Sequence, residues 1–342
     1  MKKSLLFLAT AALVLASCNN DVKLDENVAP AGSNAQKEIA FTSYAQGPKR
    51  VKSNAPIDGN TFTPTTMEVA AWDVTNSRDF FAATTFTKDN ESGTWKGGKY
   101  WPLAVDTINF LAYAELNAGS ATWDITDDGT SQKANGVVLV MADNKTAQKD
   151  LMYAIGTGGV KQEGNALTFP GAISMVFEHA QAWISFNANA YDATSGGKVT
   201  LDSIMLNGAK YNGTFTVTHT NYNATSGQSV AGAWSDLGDA ANVKVPNWTE
   251  AVIAYAAEGN GQAVGDGLMI VPDGTAAADF ASFTIYYKLD GKAYNYTYTP
   301  DSRSVDQKKH YIYNIVFHLH EIEIAASVTD WADQTPVNVP VF

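Results

Sequence analysis

The residues of this 342-residue chain that could bind phosphate or calcium form incomplete motifs. Gly93 to Lys99 fits the GxxxxGK pattern of a phosphate-binding loop, but Tyr100 stands where Ser or Thr would bind magnesium. Asp124 to Gly129 resembles the start of a calcium loop. Thr126 replaces one oxygen-rich ligand there, and Asn135 stands where a bidentate Glu is needed. Both matches are therefore interpreted as chance.

Catalytic motifs are also missing from the sequence. His318 and His320 would share one face of a strand and could hold a metal, but no third ligand is evident, so two imidazoles near a sheet edge is the favoured interpretation. There is neither a GxSxG elbow nor an HExxH pair. A pair of carboxylates for sugar cleavage stays open, because 35 acidic residues place some close together by chance. We expect no enzyme, no catalytic residue, no metal and no cofactor.

Net charge and aromatic content indicate which classes of binding partner to expect. The formal net charge is −12, and loss of Lys2 and Lys3 with a leader would make it more negative, which argues against nucleic acid. The 8 Trp and 15 Tyr could stack on sugar rings, although in β-sandwiches such residues more often pack the core. A surface glycan-binding lipoprotein is therefore kept as an alternative function.

The single cysteine, Cys18, predicts a lipid anchor. Lys2 and Lys3 precede an apolar run of twelve residues, Leu5 to Ala16, which is too short to span a membrane and is typical of a signal peptide over residues 1–17. The end of that run resembles a bacterial lipobox, in which Cys18 is acylated, with palmitate for example, before cleavage. An accidental cysteine after a plain signal peptide is the alternative. The polar composition of residues 18–36 predicts a flexible tether.

The body of the chain predicts an all-β fold. Short runs of alternating apolar residues are broken by Gly, Asn, Asp and Pro, as in sandwiches. Phe283 to Tyr298 predicts a hairpin that turns at Asp290-Gly291. Further strands are expected at Val199 to Met205, ending at Asn207-Gly208, and at Ile312 to Ile324. Gly and Pro between 164 and 171 precede an apolar run from Met175 to Phe186 and suggest two domains, 51–168 and 169–342.

Five short segments, taken in order, resemble the fimbrillin family, the lipoprotein precursors of type V pili in anaerobic Gram-negative bacteria. They span most of the chain after residue 18, and each is weakly specific alone. The segments are Lys99-Tyr100-Trp101-Pro102, Gln148-Lys149-Asp150-Leu151-Met152-Tyr153-Ala154, Val176-Phe177-Glu178-His179-Ala180, Asn212-Gly213-Thr214-Phe215 and Ser327-Val328-Thr329-Asp330-Trp331. A sixth segment, Gly267 to Asp273, departs slightly from the family pattern.

The resemblance implies two transthyretin-like β-sandwich domains and assembly by strand exchange after an N-terminal strand is removed. Glu38 to Ala45 predicts such a strand, with Ile39 and Phe41 on its apolar face. The following loop contains Arg50, which is the one arginine between this strand and the first domain, so an arginine-specific protease would cut there. Residues 37–50 would then be a propeptide. An ordinary basic turn is the alternative.

The C-terminus, residues 334–342, is the natural donor of a replacement strand. Val337, Val339 and Val341 alternate with polar, Pro or aromatic residues and form one apolar face. Pro336 and Pro340 lack N–H groups, so this segment could pair fully only where those positions face away from a ladder. Head-to-tail strand addition does not close and propagates as a filament.

The favoured function is a structural subunit of a cell-surface fimbria. Such a subunit would be exported as an outer-membrane lipoprotein precursor, trimmed, polymerised by donor-strand exchange and engaged in adhesion. The expected partners are other pilin subunits, a processing protease, the outer membrane through its lipid and a receptor on a host or bacterial surface. A lipid-retained pilus anchor, or a minor or tip subunit, is the alternative within the same fold.

Overall fold

The computed structural model describes residues 37–45, 64–116, 119–127, 132–146, 148–190, 199–218, 232–247, 250–253, 261–274, 278–318 and 322–330. These residues form strands and turns, and no helix occurs among them. The predicted all-β class is confirmed, and the sheets are consistent with β-sandwich packing. That the domains are transthyretin-like stays a prediction. A search of these ranges for a helix long and apolar enough to cross a membrane finds none.

The described residues form twenty-two strands. In chain order they are β1 (Glu38–Ala45), β2 (Thr66–Asp73), β3 (Arg78–Lys88), β4 (Trp95–Tyr100), β5 (Asp106–Ala114), β6 (Ser120–Asp127), β7 (Gln132–Met141), β8 (Met152–Glu163), β9 (Ala166–Thr168), β10 (Ile173–His179), β11 (Ala182–Ala190), β12 (Val199–Ala209), β13 (Gly213–Thr218), β14 (Ala233–Ser235), β15 (Ala241–Lys244), β16 (Ala251–Val252), β17 (Gln262–Ala263), β18 (Leu268–Ile270), β19 (Ser282–Leu289), β20 (Lys292–Tyr298), β21 (Lys309–Phe317) and β22 (Ile322–Asp330).

The first sheet has eight strands in the order β10-β1-β4-β3-β2-β5-β8-β9. The C-terminal end of β10 also pairs with β8, through Glu178 opposite Tyr153 and His179 opposite Met152. Seven strands, all of these except β9, therefore form a closed ring of pairings. Aromatic and aliphatic side chains fill one face of it, with Phe86, Phe110 and Trp101 fully buried.

A four-stranded sheet, β14-β13-β7-β6, covers the opposite face of β5 and β8. Leu111 and Tyr153 project to this side, while their chain neighbours Phe110 and Ala154 project into the ring. The last five residues of β5 and the first five of β8 are buried on both faces, so these parts of the strands lack the apolar-polar alternation of a half-exposed strand. Phe215 on β13 packs edge-on against Tyr153 at 4.9 Å between centroids.

The C-terminal part of the chain forms a two-sheet sandwich. One sheet has the order β17-β11-β21-β22 with β18 also on β11, and the other has β15-β12-β19-β20 with β16 also on β12. Phe186 on β11 meets Phe283 on β19 at 5.1 Å between ring centroids, and Tyr313 on β21 meets the same ring at 5.0 Å. The core of this sandwich is continuous between its two sheets.

Several strand predictions can be compared with the structure. The first strand has the predicted bounds, and the hairpin β19–β20 turns at Asp290 and Gly291 as expected. The prediction of one strand over Ile312 to Ile324 was wrong, because this segment forms parts of two antiparallel strands, β21 and β22. The apolar run Met175 to Phe186 is divided between β10 and β11, which belong to different sheets.

The predicted domain boundary between residues 168 and 169 stays a prediction. Two strands that follow this point pair with strands that precede it: β10 with β1 and β8, and β13 with β7. Pairings of this kind tie the two parts of the chain together by main-chain hydrogen bonds. The predicted strand Val199 to Met205 does not end at Asn207-Gly208; β12 continues to Ala209, and its pairing with β15 shifts register between Leu206 and Ala209.

Candidate functional site at the first strand

The first strand, β1, lies between two neighbours inside the first sheet. It runs parallel to β10, with Phe41 opposite Ile173, and antiparallel to β4, with Phe41 opposite Trp95. Its entry is fixed by two further hydrogen bonds, because the Trp101 N–H donates to the Lys37 carbonyl at 3.0 Å and the Gly98 N–H donates to Glu38 Oε1 at 3.1 Å. The most N-terminal described strand therefore occupies a central position in the sheet.

Two side chains of β1 reach the core, as the alternation predicts. Ile39 and Phe41 are fully buried, whereas Thr42, which alternates with them along the strand, is exposed. The Phe41 ring makes edge-to-face contacts with Phe86 and Phe110, each at 5.1 Å between centroids. The buried face of β1 is thus part of the ring's own aromatic core.

Removal of β1 would open the ring of pairings. The ring contains the sequence β10-β1-β4, so without β1 the facing edges of β10 and β4 would both have unpaired N–H and C=O groups. The space left by Ile39 and Phe41 would be an apolar slot lined by Phe86 and Phe110. We name this slot, between β10 and β4, the β1 seat.

A close backbone approach shapes one wall of the β1 seat. A Cβ placed on Gly97 of β4 would lie 2.7 Å from Cδ2 of Phe86, which is shorter than real Cβ contacts. Gly97 therefore lets the Phe86 ring pack closely against β4, where it also meets Phe41 in an edge-to-face contact. At the strand's outer side, the Lys96 ammonium pairs with Asp89 at 2.9 Å and holds the pKa of that carboxyl below its usual range.

The other predicted processing and exchange residues lie outside the described residues. These are Cys18, Arg50 and the donor residues Val337, Val339 and Val341. Their place in the chain relative to described strands is nevertheless clear: Arg50 follows β1 and precedes β2, and residues 334–342 follow β22. The structure brings together Ile39 and Phe41 and leaves the other assignments as predictions.

Two of the five segments that carried the family resemblance, 148–154 and 176–180, meet at one junction, together with the sixth segment at Met269. His179 Nδ1 lies 3.0 Å from both carboxylate oxygens of Asp150, and the pair is buried. Leu151 N–H donates to the Gln181 side-chain oxygen at 3.0 Å, and Met269 N–H donates to the Gln148 side-chain oxygen at 2.7 Å. These contacts join the first sheet to the C-terminal sandwich.

A buried chain of polar groups continues from this junction. The Tyr153 hydroxyl donates to Glu178 Oε2 and accepts from the Gly232 N–H at 3.3 Å. Glu178 also pairs with Lys308. Burial raises the pKa of Tyr153, and the nearby Glu178 charge adds to the effect, so this hydroxyl stays protonated. We interpret segments 148–154 and 176–180 as structural, because the polar groups described here bind other parts of the same chain.

Two polar pairs were not found by sequence reasoning. Ser185 Oγ lies 2.7 Å from His310 Nε2, and the His310 ring stacks on Trp183 at 3.6 Å. Burial lowers the pKa of His310 to about 3, which makes it a poor base, so the contact is suited to locking β11 to β21. In the sequence these residues are 125 positions apart and give no local signal.

Asp73 and Asp106 form the second pair, next to the turn between β2 and β3. The Asn76 amide donates to Asp73 at 2.7 Å and to Asp106 at 3.4 Å. Burial, with the neighbouring Asp73, raises the pKa of Asp106. Hydrogen bonds from Asn76 and Arg78 outweigh burial at Asp73 and lower its pKa. Among the described residues no group of three or more His, Cys, Asp or Glu is placed to hold a metal ion.

Comparison with protein-family models finds one that covers most of the chain. The fimbrillin-like family model matches residues 49–331. The chain belongs to the fimbrillin-like family. Membership of this family supports a fimbrial subunit at the cell surface that assembles with other pilin subunits. Comparison with curated protein sequences finds no match.

Solved structures share the fold of this fimbrillin-like chain. A fimbrial protein from Bacteroides vulgatus superposes with a TM-score of 0.53 at 13% identity, covering 86% of this chain and 99% of its own. A candidate cell adhesion protein from Bacteroides ovatus gives a TM-score of 0.50 at 11% identity, covering 88% and 100%. The similarity extends over nearly the whole length of both relatives and concerns the fold alone.

Proposed function

We propose that this chain is the structural subunit of a fimbria that polymerises by exchanging β1 for a strand of another subunit. The observation that supports this most directly is the position of β1, which is paired on both sides within the sheet yet is the most N-terminal strand described. A strand so placed can be removed by one cut in the loop that follows it. Arg50 lies in that loop.

The proposed maturation has two steps. Export as a lipoprotein acylated at Cys18 holds the precursor at the outer membrane, and cleavage after Arg50 then frees residues 18–50 with β1 among them. Ile39 and Phe41 together contribute roughly 3–6 kcal/mol when buried, so an empty β1 seat is costly and favours a replacement. A strand from another subunit restores both the backbone hydrogen bonds and the buried side chains.

Residues 334–342 are proposed as that replacement. Val337, Val339 and Val341 would fill the slot vacated by Ile39 and Phe41, with Asn338 and Pro340 on the other face of the sheet. Because the β1 seat is flanked by β10 and β4, Pro340 would leave one of the two ladders without an N–H donor at its position. Each subunit would then donate its C-terminus to the next one, which gives an open head-to-tail filament. Adhesion is proposed as the filament's role, in keeping with the fimbrial and candidate adhesion proteins that share the fold.

The test is the assembly state of chains that begin at Val51. We expect these chains to form polymers visible by electron microscopy, and we expect chains that begin at Cys18 with Arg50→Ala to form no polymers. Val339→Asp should block polymerisation because it places a charge in the apolar slot. Asn338→Asp, on the other face of the same segment, is the matched control. Monomeric Val51 chains that behave identically with and without residues 334–342 would refute strand exchange.

A lipid-retained anchor or minor subunit is the second candidate, because β1 already fills its seat in this structure. The two candidates differ in the N-terminus of the protein on the native cell surface. Intact mass spectrometry showing a start at Val51 without lipid would support the polymerising subunit. An acylated start at Cys18 would support the anchor.

A further inference from the structure

Strand β20 has an open edge in the C-terminal sandwich. It pairs with β19 and, among the described residues, with no other strand. The pairing runs without a bulge from Lys292 to Tyr298, and all but the last of these residues are exposed. Proteins usually protect such edges with proline, a bulge, several charges or a very short strand. β20 has one lysine at its start and none of the other protections.

The turn before β20 determines which main-chain groups face the open edge. Asp290 and Gly291 have φ angles of 49° and 80°, as in a two-residue type I′ turn. The residues that flank such a turn, Leu289 and Lys292, form a hydrogen-bonded pair. Because bonding alternates along the strand, three residues direct their N–H and C=O groups outward: Ala293, Asn295 and Thr297.

An aromatic face accompanies this edge. Tyr294 and Tyr296 are each 39% exposed and lie on the same side of β20 as Tyr298, which packs on Phe283 in the core. Tyr294 stacks on Tyr287 of β19 at 5.7 Å. Aromatic side chains therefore continue from the core to the open edge of the sheet, where no described strand covers them.

We propose that β20 pairs with β20 of a second copy of this chain, antiparallel, about a twofold axis at Asn295. In this register Asn295 faces its own counterpart, and Ala293 faces Thr297 of the second copy. All three outward-directed residues then exchange hydrogen bonds. A register centred on Tyr294 or Tyr296 leaves one of the three without a partner, so the Asn295 register satisfies the most main-chain groups.

Side chains and charge also fit this register. Tyr294 lies opposite Tyr296 of the second copy on the aromatic face, a favourable cross-strand pair. Lys292 is the one charged residue in β20 and lies opposite Tyr298 at the far end of the second strand. The two copies of Lys292 are therefore separated by nearly the length of the strand. A chain with net charge −12 thus has an edge without acidic residues through which copies can approach.

This contact is distinct from strand exchange. It uses the same patch on both copies and closes on itself, whereas strand exchange is head-to-tail and open. A seven-residue edge buries little surface, so we expect a weak dimer, with a dissociation constant of about 10 µM to 1 mM. Repetition along a filament would multiply such contacts and join filaments side by side.

The test is a charge swap at the axis in the chain with Cys18→Ser and Arg50→Ala, which removes the candidate lipidation and processing sites. Asn295→Lys places two ammonium groups opposite each other and should raise the dissociation constant roughly fivefold or more in sedimentation velocity. Asn295→Asp should do the same. An equimolar mixture of the two variants should recover association, because Lys then faces Asp. Thr87→Lys, exposed on the interior strand β3, is the control and should have no effect.

Three results would overturn the proposal. The first is a parent chain that stays monomeric up to about 1 mM. The second is a mixture of the Asn295 variants that associates no better than either alone, when circular dichroism shows both to be folded. The third is saturable binding of a glycan by the monomer that Tyr296→Ala abolishes, which would assign the tyrosines to carbohydrate instead.

Discussion

The substitution Phe41→Ala measures how firmly β1 is held in its seat. Phe41 is fully buried and its ring contacts Phe86 and Phe110 edge-on. Burial of a phenylalanine contributes about 1.5–3 kcal/mol, and each edge-to-face pair adds roughly 0.5–1.5 kcal/mol. A cavity left by truncation brings the usual cost of Phe→Ala to about 3–5 kcal/mol. We therefore expect a loss of about 4 kcal/mol in the unfolding free energy of the first sheet.

Hydrogen exchange of the β1 amides and urea unfolding would report this loss. Trp95 and Trp101 are buried beside the β1 seat and supply a local fluorescence signal. Thr42→Ala, an exposed change on the same strand, is the matched control and should stay within about 0.5 kcal/mol of the parent. After cleavage at Arg50, the variant should release its β1 peptide faster, by up to about a thousandfold, since 1.4 kcal/mol corresponds to a factor of ten.

A Phe41→Ala loss no larger than that of Thr42→Ala would contradict this expectation. Such a result would mean that the aromatic core does not hold β1, and that its removal leaves no apolar slot to fill. Unchanged release of the β1 peptide, together with a large loss of unfolding free energy, would separate the rate of strand release from global stability. It would show that β1 leaves by a route that does not expose Phe41 before the slowest step.

Three further predictions concern stability. Burial raises the pKa of Asp106, so its ionisation opposes folding as pH rises through that pKa, and Asp106→Asn should raise the Tm at pH 7 but hardly change it at pH 3. Burial lowers the pKa of His310 to about 3, so as pH falls below about 6.5 the unfolded chain takes up a proton at this histidine before the folded chain does. The free energy of unfolding of the parent should therefore fall by about 2–3 kcal/mol between pH 6.5 and 4.5 in urea titrations. His310→Gln should lose less over the same range. Gly97→Ala should cost about 1–3 kcal/mol in urea because its Cβ would meet the Phe86 ring, whereas Gly171→Ala, which meets open space, should cost less than about 0.5 kcal/mol.

Local patterns predicted the strands better than their partners. The bounds of β1 and the position of the β19–β20 turn follow from alternation and from Asp290-Gly291, because both signals lie within a few residues. The parallel pairing of β1 with β10 joins Phe41 to Ile173 across more than a hundred residues, and no local pattern encodes it. The change of sheet at Ala180-Gln181 lies within the apolar run Met175 to Phe186, which contains no Gly or Pro to signal it.

The residues at the junction stand out in the sequence, but their contacts do not. Asp150 and His179 lie in two of the segments that resemble the family, and their pairing becomes visible in three dimensions. The Ser185–His310 contact had no counterpart in any motif. These segments are recognisable in the sequence, but whether they act in packing or in chemistry depends on which segments meet in three dimensions.

The placement of β1 between β10 and β4 has a mechanical consequence. A strand at the edge of a sheet can be peeled away one hydrogen-bonded pair at a time, with little force at any moment. A strand bonded along both sides must shear both ladders together when it is pulled along its own axis. In the proposed filament, each joint would consist of a strand seated in this way. Tension along the fibre would then be shared by every hydrogen bond in the seat, and a joint would withstand drag from flowing liquid far better than an edge contact of the same length.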